Sequence, residues 1–194
     1  MRKHKTQPAR AGLALPWGQL PDLPGEGSVL PCVWTDPSTA VFAVGASGGV
    51  GTTTIAALCG LVDFGRVWPV SAPQPARCVV VARPTATGMA AARECAGALF
   101  GGRVAGVECV GLVLVADQPG RLPRELARAR ALTESVFPAV WRLPYSQALR
   151  LGRDDPQLAA HKAVQDLRSL ASAGEEPEVF IDDIPAVGGV SLDI

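Results

Sequence analysis

The chain has 194 residues with 18 basic and 18 acidic side chains, so its formal net charge is zero. This length accommodates one well-buried domain and is too short for two large ones. A neutral balance argues against a protein that holds nucleic acid through its overall electrostatic field. No apolar run approaches the roughly 18 residues of a membrane span, and the basic N-terminus lacks an apolar signal core. We therefore expect a cytoplasmic protein without a membrane span.

Composition divides the chain into three parts. Residues 1–38 begin with basic side chains and continue with Leu-Pro and Pro-Gly pairs, which predicts a flexible arm. Residues 39–172 alternate strand-like and helix-like segments and form the predicted domain. Residues 173–194 are acidic and then apolar without periodicity, which indicates a disordered tail. The stretch Val179–Ile194 is equally consistent with a docking peptide for a partner protein.

The alternating segments of the central part predict its architecture. Strands are expected at Thr39–Val44, Cys78–Ala82, Val110–Ala116 and Ala139–Leu143, with a further short candidate at Arg66–Val70. Helices are expected at Thr53–Leu61, Thr87–Phe100, Leu122–Val136 and Asp155–Ala171. Such an order is typical of a three-layer α/β fold, in which helices cover both faces of a mostly parallel sheet.

The residues that carry metal, redox or nucleophilic chemistry are sparse. The five cysteines are scattered singly, mostly in apolar runs and without a CxxC pair, which predicts buried free thiols in a reducing compartment. The two histidines, His4 and His161, lie in the arm and in a polar helix, which excludes a histidine-based metal cluster or catalytic triad. Trp68 and Trp141 are interpreted as core residues.

A glycine-rich turn between the first strand and the first helix is the most informative segment. In it, glycines expose successive backbone N–H groups at a helix N-terminus, where the dipole favours a phosphate. The candidate ligand-binding residues are Gly48, Gly49, Val50, Gly51, Thr52, Thr53 and Thr54. Thr53 is also the candidate magnesium ligand, although its hydroxyl equally suits a helix start. A catalytic phosphate loop would carry lysine at the position of Thr52.

The stretch Ser47–Thr54 resembles the deviant phosphate loop KGGVGKTT of the MinD/ParA group of P-loop ATPases. Later segments are similar in the same order: Cys78–Arg83 to a strand that leads into a Thr-x-Pro turn and helix, Val110–Ala116 to the next strand, and Trp141–Tyr145 to the last strand and its proline loop. The similarity covers roughly residues 39–152 and extends to small P-loop-like proteins of high-GC bacteria. It implies ATP or another nucleoside triphosphate with Mg²⁺, with Pro144 beside the base. It also suggests a homodimer that sandwiches the nucleotide.

The departures from that group bear on activity. Its two phosphate-contacting lysines are replaced here by Ser47 and Thr52, and its acidic residues have no counterpart at Trp68–Ala72. Since phosphoryl transfer depends on positioning and charge neutralisation, we do not expect ATP hydrolysis. Backbone donors survive these changes, so nucleotide binding is retained as the expectation. Without the cross-dimer lysine, a monomer is as plausible as a dimer.

Two polar residues near the expected site have alternative interpretations. Arg83 follows a predicted central strand and is a candidate cation for a phosphate, although we favour the alternative, a surface ion pair with a carboxylate. Asp117 stands where the group carries a base-reading asparagine, but we interpret Asp-Gln-Pro-Gly as an ordinary turn in preference to a base contact.

Three functional hypotheses remain. The favoured one is a nucleotide-binding pseudo-ATPase with little or no hydrolysis, acting through an unidentified protein partner. The second is a structural adaptor that keeps the fold without a ligand. The third is an NAD(P)-dependent reductase, because similar turns occur in quinone reductases and short-chain dehydrogenases, but the ribose-binding acid expected near Trp68–Val70 is missing. The arginines at 121, 124 and 128 share a helix face that we interpret as solvated in preference to DNA-binding.

Overall fold

The computed structural model describes residues 29–36 and 38–173. The strands within this part of the chain are β1 (Cys32–Trp34), β2 (Val41–Gly45), β3 (Val62–Asp63), β4 (Trp68–Val70), β5 (Ala76–Ala82), β6 (Val107–Val115) and β7 (Val140–Leu143). The helices are α1 (Thr52–Cys59), α2 (Ala86–Phe100), α3 (Arg124–Glu134), α4 (Gln147–Arg150), α5 (Pro156–Ala159) and α6 (Lys162–Ser172). The predicted arm up to residue 28 and the tail from residue 174 lie outside the described residues.

Five strands form one parallel sheet in the order β3-β2-β5-β6-β7. The predicted α/β fold with a mostly parallel sheet and flanking helices is confirmed. Strand β5 lies at the centre of this sheet and is almost entirely buried, because it pairs with β2 on one side and β6 on the other. Its continuous apolar sequence is typical of a parallel strand covered on both faces.

Alternation along the central strands distributes their side chains between two cores. On β5, Cys78 and Val80 belong to the core beneath α2, whereas Val79 and Val81 belong to the core beneath α1 and α6. Helix α3 packs against α2, and α6 packs against α1. The sheet therefore separates an α2/α3 face from an α1/α6 face, with a distinct core on each side.

A second, two-stranded sheet corrects the expectation for residues 1–38 and 66–70. Strand β4 pairs in parallel with β1 instead of joining the main sheet, so part of the predicted flexible arm is structured. Pro69 has no N–H, and the pairing hydrogen bonds lie on either side of it: Trp68 N donates to Pro31 O and Thr35 N donates to Val70 O, both at 2.8 Å. Trp68 is fully buried, as predicted for a core residue.

The predicted helix Asp155–Ala171 is divided into α5 and α6. The chain turns at Ala160, and His161 caps the second helix, with Nδ1 accepting a hydrogen bond from Ala163 N at 3.3 Å. Residue 161 therefore begins a helix instead of lying within one. Strand β3 and helix α4 were not predicted, because two- and four-residue elements carry too little periodicity to detect.

The five cysteines are free, and Cys59, Cys78 and Cys95 are buried, as the sequence predicts. Cys32 and Cys109 are partly exposed. Burial raises the pKa of Cys59 to about 11 and that of Cys95 to about 12. Within the described ranges, no helix has the length and apolar character needed to cross a membrane.

Candidate functional site

The glycine turn connects β2 to α1 with alternating backbone conformations. Gly49 has φ 70° and Gly51 has φ 91°, whereas Val50 between them has a negative φ, as does every described non-glycine residue. Such alternation turns successive N–H groups toward one point and creates a concave anion-binding surface. Ile55 N is bonded to Gly51 O at 3.0 Å, so the amides of Thr52, Thr53 and Thr54 precede the first hydrogen bond of α1. The turn therefore presents backbone donors at the positive end of a helix.

The turn lies where the strand order of the main sheet reverses. From β2 the chain goes first to β3 on one side and then to β5 on the other. In open parallel sheets, ligands bind outside the carboxyl ends of the strands at such a switch point. Ala46 N donates to Val81 O at 2.9 Å, which holds the start of the turn against the end of β5. The fold thus brings the glycine turn and Arg83 to the same edge.

A cavity of about 250 Å³ opens at this edge on the α1/α6 face, and we name it the glycine cleft. Five of the nine predicted binding residues line it: Val50, Gly51, Thr54, Arg83 and Pro144. These residues come from three separate segments of the chain. Their convergence is a product of the parallel sheet, because the carboxyl ends of parallel strands meet at one edge.

The other four predicted residues do not line the glycine cleft. Gly48, Gly49 and Thr53 are exposed on the turn and at the start of α1. Thr52 packs beneath the turn, since a methyl group added to Gly45 would lie only 2.7 Å from Thr52 Oγ1. The short side chain of Thr52 is therefore turned toward the backbone of β2.

Sequence reasoning missed several residues of the cleft. Tyr145, Ser146 and Leu149 line it beyond the end of β7, and Arg150 follows them on α4. Tyr145 and Ser146 follow a predicted strand directly, so the rule that parallel strand ends converge could have identified them. Arg150 carried no such signal, because its position depends on the unpredicted helix α4.

Linked helix caps hold the outer wall of the glycine cleft. Ser146 Oγ donates to Asp155 Oδ2 at 2.6 Å and accepts from Leu149 N at 3.1 Å, which caps α4. Asp155 Oδ1 accepts from the N–H groups of Gln157 and Leu158 at 3.1 and 3.0 Å, which caps α5. The hydrogen bond from Ser146, and then those from the α5 amides, lower the pKa of the Asp155 carboxyl. The expectation that Asp155 begins a helix is confirmed.

The charged groups around the glycine cleft are Arg83, Arg150 and Asp117. Arg150 Nη1 donates to the backbone oxygen of Asp117 at 3.4 Å, so α4 contacts the loop after β6. Two guanidinium groups and one carboxylate give this edge a net positive charge. In the part of the chain that the structure describes, no group of three or more His, Cys, Asp or Glu side chains could hold a metal ion.

Comparison with known proteins places this site within a family. Residues 39–167 match the model of a family of unknown function, DUF6668. No curated protein matches the chain. The matched stretch is more than half of the chain and contains the glycine turn, the whole five-stranded sheet and every segment that lines the glycine cleft. The chain therefore belongs to the DUF6668 family.

Proposed function

We propose that this protein binds a nucleoside triphosphate, such as ATP, at the glycine turn without hydrolysing it, and acts through a protein partner. The observation that carries the proposal is the position of the turn: alternating φ angles, a free helix N-terminus and Arg83 meet at the switch point of the sheet. The resemblance of Ser47–Thr54 to the MinD/ParA loop supports the same ligand class.

The proposed roles divide between backbone and side chains. The N–H groups of the turn and of the first residues of α1 hold the phosphates. Arg83 neutralises part of their charge, and Pro144 and Tyr145 flank the base. The glycine cleft is smaller than the roughly 300–1,000 Å³ of typical ligand pockets. In this proposal it takes the base and sugar, while the phosphates lie along the exposed turn.

In this proposal magnesium binds only together with the nucleotide, because the described residues of the protein offer few ligands of their own. Thr53 is exposed at the start of α1, and its hydroxyl is the candidate ligand. Since no group of three or more described His, Cys, Asp or Glu side chains could hold a metal there, phosphate oxygens and water supply the other ligands. When bound, the ion neutralises charge on the phosphates.

Slow or absent turnover follows from the groups around the turn. Among the described residues the sole lysine is Lys162, which pairs with Asp166 at 3.0 Å on α6. Thr52 occupies the position from which a lysine would reach the phosphates, and its hydroxyl packs against Gly45. We therefore expect binding without the charge neutralisation that phosphoryl transfer requires.

Calorimetric titration with ATP, ADP, GTP and NADPH, with and without Mg²⁺, tests the proposal. We expect Mg²⁺-dependent binding of ATP or GTP with no release of phosphate. Gly51→Asp should weaken it by at least about 100-fold, because a carboxylate beside phosphates adds like-charge repulsion of several kcal/mol. Gly102→Asp is the matched control, since Gly102 also has a positive φ of 72° with open space around it and lies at the end of α2.

Three outcomes would overturn the proposal. If none of the four nucleotides binds, a ligand-free structural adaptor is favoured. The segments 1–28 and 174–194 would then be tested for binding to a partner protein. Tight and preferential NADPH binding would favour the reductase hypothesis. Equal loss of affinity in Gly51→Asp and Gly102→Asp would mean that the nucleotide does not contact the turn.

A further inference from the structure

A second cavity, of about 400 Å³, opens at the same carboxyl edge on the α2/α3 side of the sheet. Its lining combines apolar side chains, among them Leu114 and Leu122, with three arginines, Arg121, Arg130 and Arg142. We name it the arginine cavity. It meets the glycine cleft only at residues 116, 117 and 143, which line both.

The three arginines differ in how far their charges are neutralised. Arg142 forms a bidentate pair with Glu134, in which Nε donates to Oε1 at 2.6 Å and Nη2 donates to Oε2 at 2.5 Å. Both carboxylate oxygens of Glu134 are therefore occupied, and its side chain is only 12% exposed. The Arg142–Glu134 pair contributes no net charge to the cavity.

Arg130 is left with an incomplete interaction. Its Nε lies 3.5 Å from Glu134 Oε1, and this nitrogen is buried without a hydrogen-bond acceptor among the described residues. Guanidinium groups favour acceptors that engage two N–H groups at once, as carboxylate and phosphate oxygens do. The Arg130 side chain lines the cavity and is 33% exposed, so its guanidinium group is available to an anion that enters.

Arg121 adds a second charge from the loop between β6 and α3. In the described ranges, no carboxylate forms an ion pair with it. Asp117 is the one acidic residue that lines the cavity. Arg121, Arg130 and Asp117 together give the cavity one net positive charge, and the two guanidinium groups are its candidate anion contacts.

We propose that the arginine cavity binds the dianionic group of a small phosphate monoester, with its organic part against the apolar lining. Two guanidinium groups without a full partner favour a dianion over a monocarboxylate, since each additional charge gains a charge-assisted contact. Leu114 and Leu122 favour a ligand with an apolar body over inorganic phosphate alone. This site uses other residues than the proposed nucleotide site and does not depend on it.

Titration of the full chain with phenyl phosphate, benzoate and inorganic phosphate, followed by calorimetry or by NMR chemical shifts, tests the assignment. We expect phenyl phosphate to bind more tightly than either of the others. Arg130→Gln and Arg121→Gln should each weaken phenyl phosphate binding by about 10-fold, the usual consequence of losing one hydrogen bond to a charged group. Arg121 is exposed in a loop, so its variant remains informative if Arg130→Gln fails to fold.

Arg128→Gln is the matched control, because Arg128 is exposed on the same helix and does not line the cavity. The affinity of the Arg128→Gln variant for phenyl phosphate should stay within about twofold of that of the parent protein. Gly51→Asp should also leave phenyl phosphate binding unchanged, which separates this site from the glycine turn. Benzoate binding as tight as that of phenyl phosphate would overturn the dianion assignment. Equal weakening in the Arg128 and Arg130 variants, or no binding at about 10 mM, would overturn the site.

Discussion

The glycine cleft and the arginine cavity lie at one edge of one sheet, yet they differ in the origin of their hydrogen-bond donors. On the α1/α6 face the donors are mainly backbone amides, whose direction depends on two glycines with positive φ. On the α2/α3 face they are guanidinium groups, and Glu134 pairs closely with that of Arg142 but only at 3.5 Å with that of Arg130. The comparison indicates that a backbone site tolerates most side-chain changes, whereas a guanidinium site is weakened by the replacement of a single residue.

The two cavities also differ in how their walls are supported. The glycine cleft is closed by α4 and α5, two four-residue helices that are joined through Ser146 and Asp155. The arginine cavity is closed by the eleven-residue helix α3, which packs on α2. Short helices gain little from their own hydrogen bonds and depend on their caps. We therefore expect the glycine cleft to be the more sensitive of the two to changes in its caps.

Gly88→Ala should have the largest effect and should damage both cavities. A methyl group at this position would lie 2.4 Å from Arg83 O, which is backbone and cannot move without shifting the segment after β5. Arg83 lines one cavity and Pro84 lines the other. We expect a loss of about 2 kcal/mol in the free energy of unfolding, measured with urea, because overpacking typically costs about 1–3 kcal/mol.

Gly97→Ala provides the control on the same helix. A methyl group there would meet only the end of the Arg103 side chain, at 3.3 Å. Replacing a glycine within a helix by alanine should stabilise the protein by about 0.5–1 kcal/mol. If both substitutions left the free energy of unfolding unchanged or raised it, the predicted clash between a methyl group at position 88 and the Arg83 backbone oxygen would be contradicted.

Asp155→Ala should have an intermediate effect and should separate the two cavities. It removes the cap of α5 and the hydrogen bond from Ser146, so we expect a lower free energy of unfolding than in the parent protein. Ligand binding at the glycine turn should weaken, while phenyl phosphate binding in the arginine cavity should not change. Asp154→Ala is the control, because Asp154 is exposed and adjacent but caps neither helix.

The contribution of Asp155 should also depend on pH in a defined direction. Its pKa in the folded protein is lowered, so the unfolded chain binds the proton more readily. The stabilisation is therefore complete above the usual carboxyl range and is lost as the pH falls through the lower, folded-state pKa. Urea titrations at a series of pH values should show the Asp155→Ala difference shrinking in acid; a difference that grows in acid would contradict the assignment.

Asp117→Asn should have the smallest effect and should act on both cavities in the same direction. Asp117 lines both, and its carboxylate opposes any anion that binds at either site. Removing one partly screened charge should tighten the binding of anions by about two- to fivefold, as for other exposed charge interactions of 0.2–1 kcal/mol. Tightening in only one cavity, measured by parallel titrations with ATP and phenyl phosphate, would show that the carboxylate faces that cavity alone.

Much of the fold could be predicted from the sequence, because its main signals are local. The continuous apolar stretch Cys78–Ala82 and the following helix Thr87–Phe100 were predicted close to their observed bounds. The glycine turn was also predicted in its place between a strand and a helix, since its glycines must supply backbone conformations that other residues rarely adopt. The weaker predictions concerned short elements such as β3 and α4, whose formation depends on neighbours far away in the sequence.

The candidate site was predictable in part for the same reason. The sequence alone determined the α/β class and the backbone donors of the turn, because the alternation of strand-like and helix-like segments and the spacing of the glycines are local patterns. Only the tertiary structure decided that Arg150 on α4 joins the glycine cleft, that Thr52 packs beneath the turn, and that β1 pairs with β4. It also decided that three arginines from a loop, a helix and a strand share a cavity. These arrangements join segments that are distant in the chain, and their positions are set by strand order and by burial, which no local pattern of residues encodes.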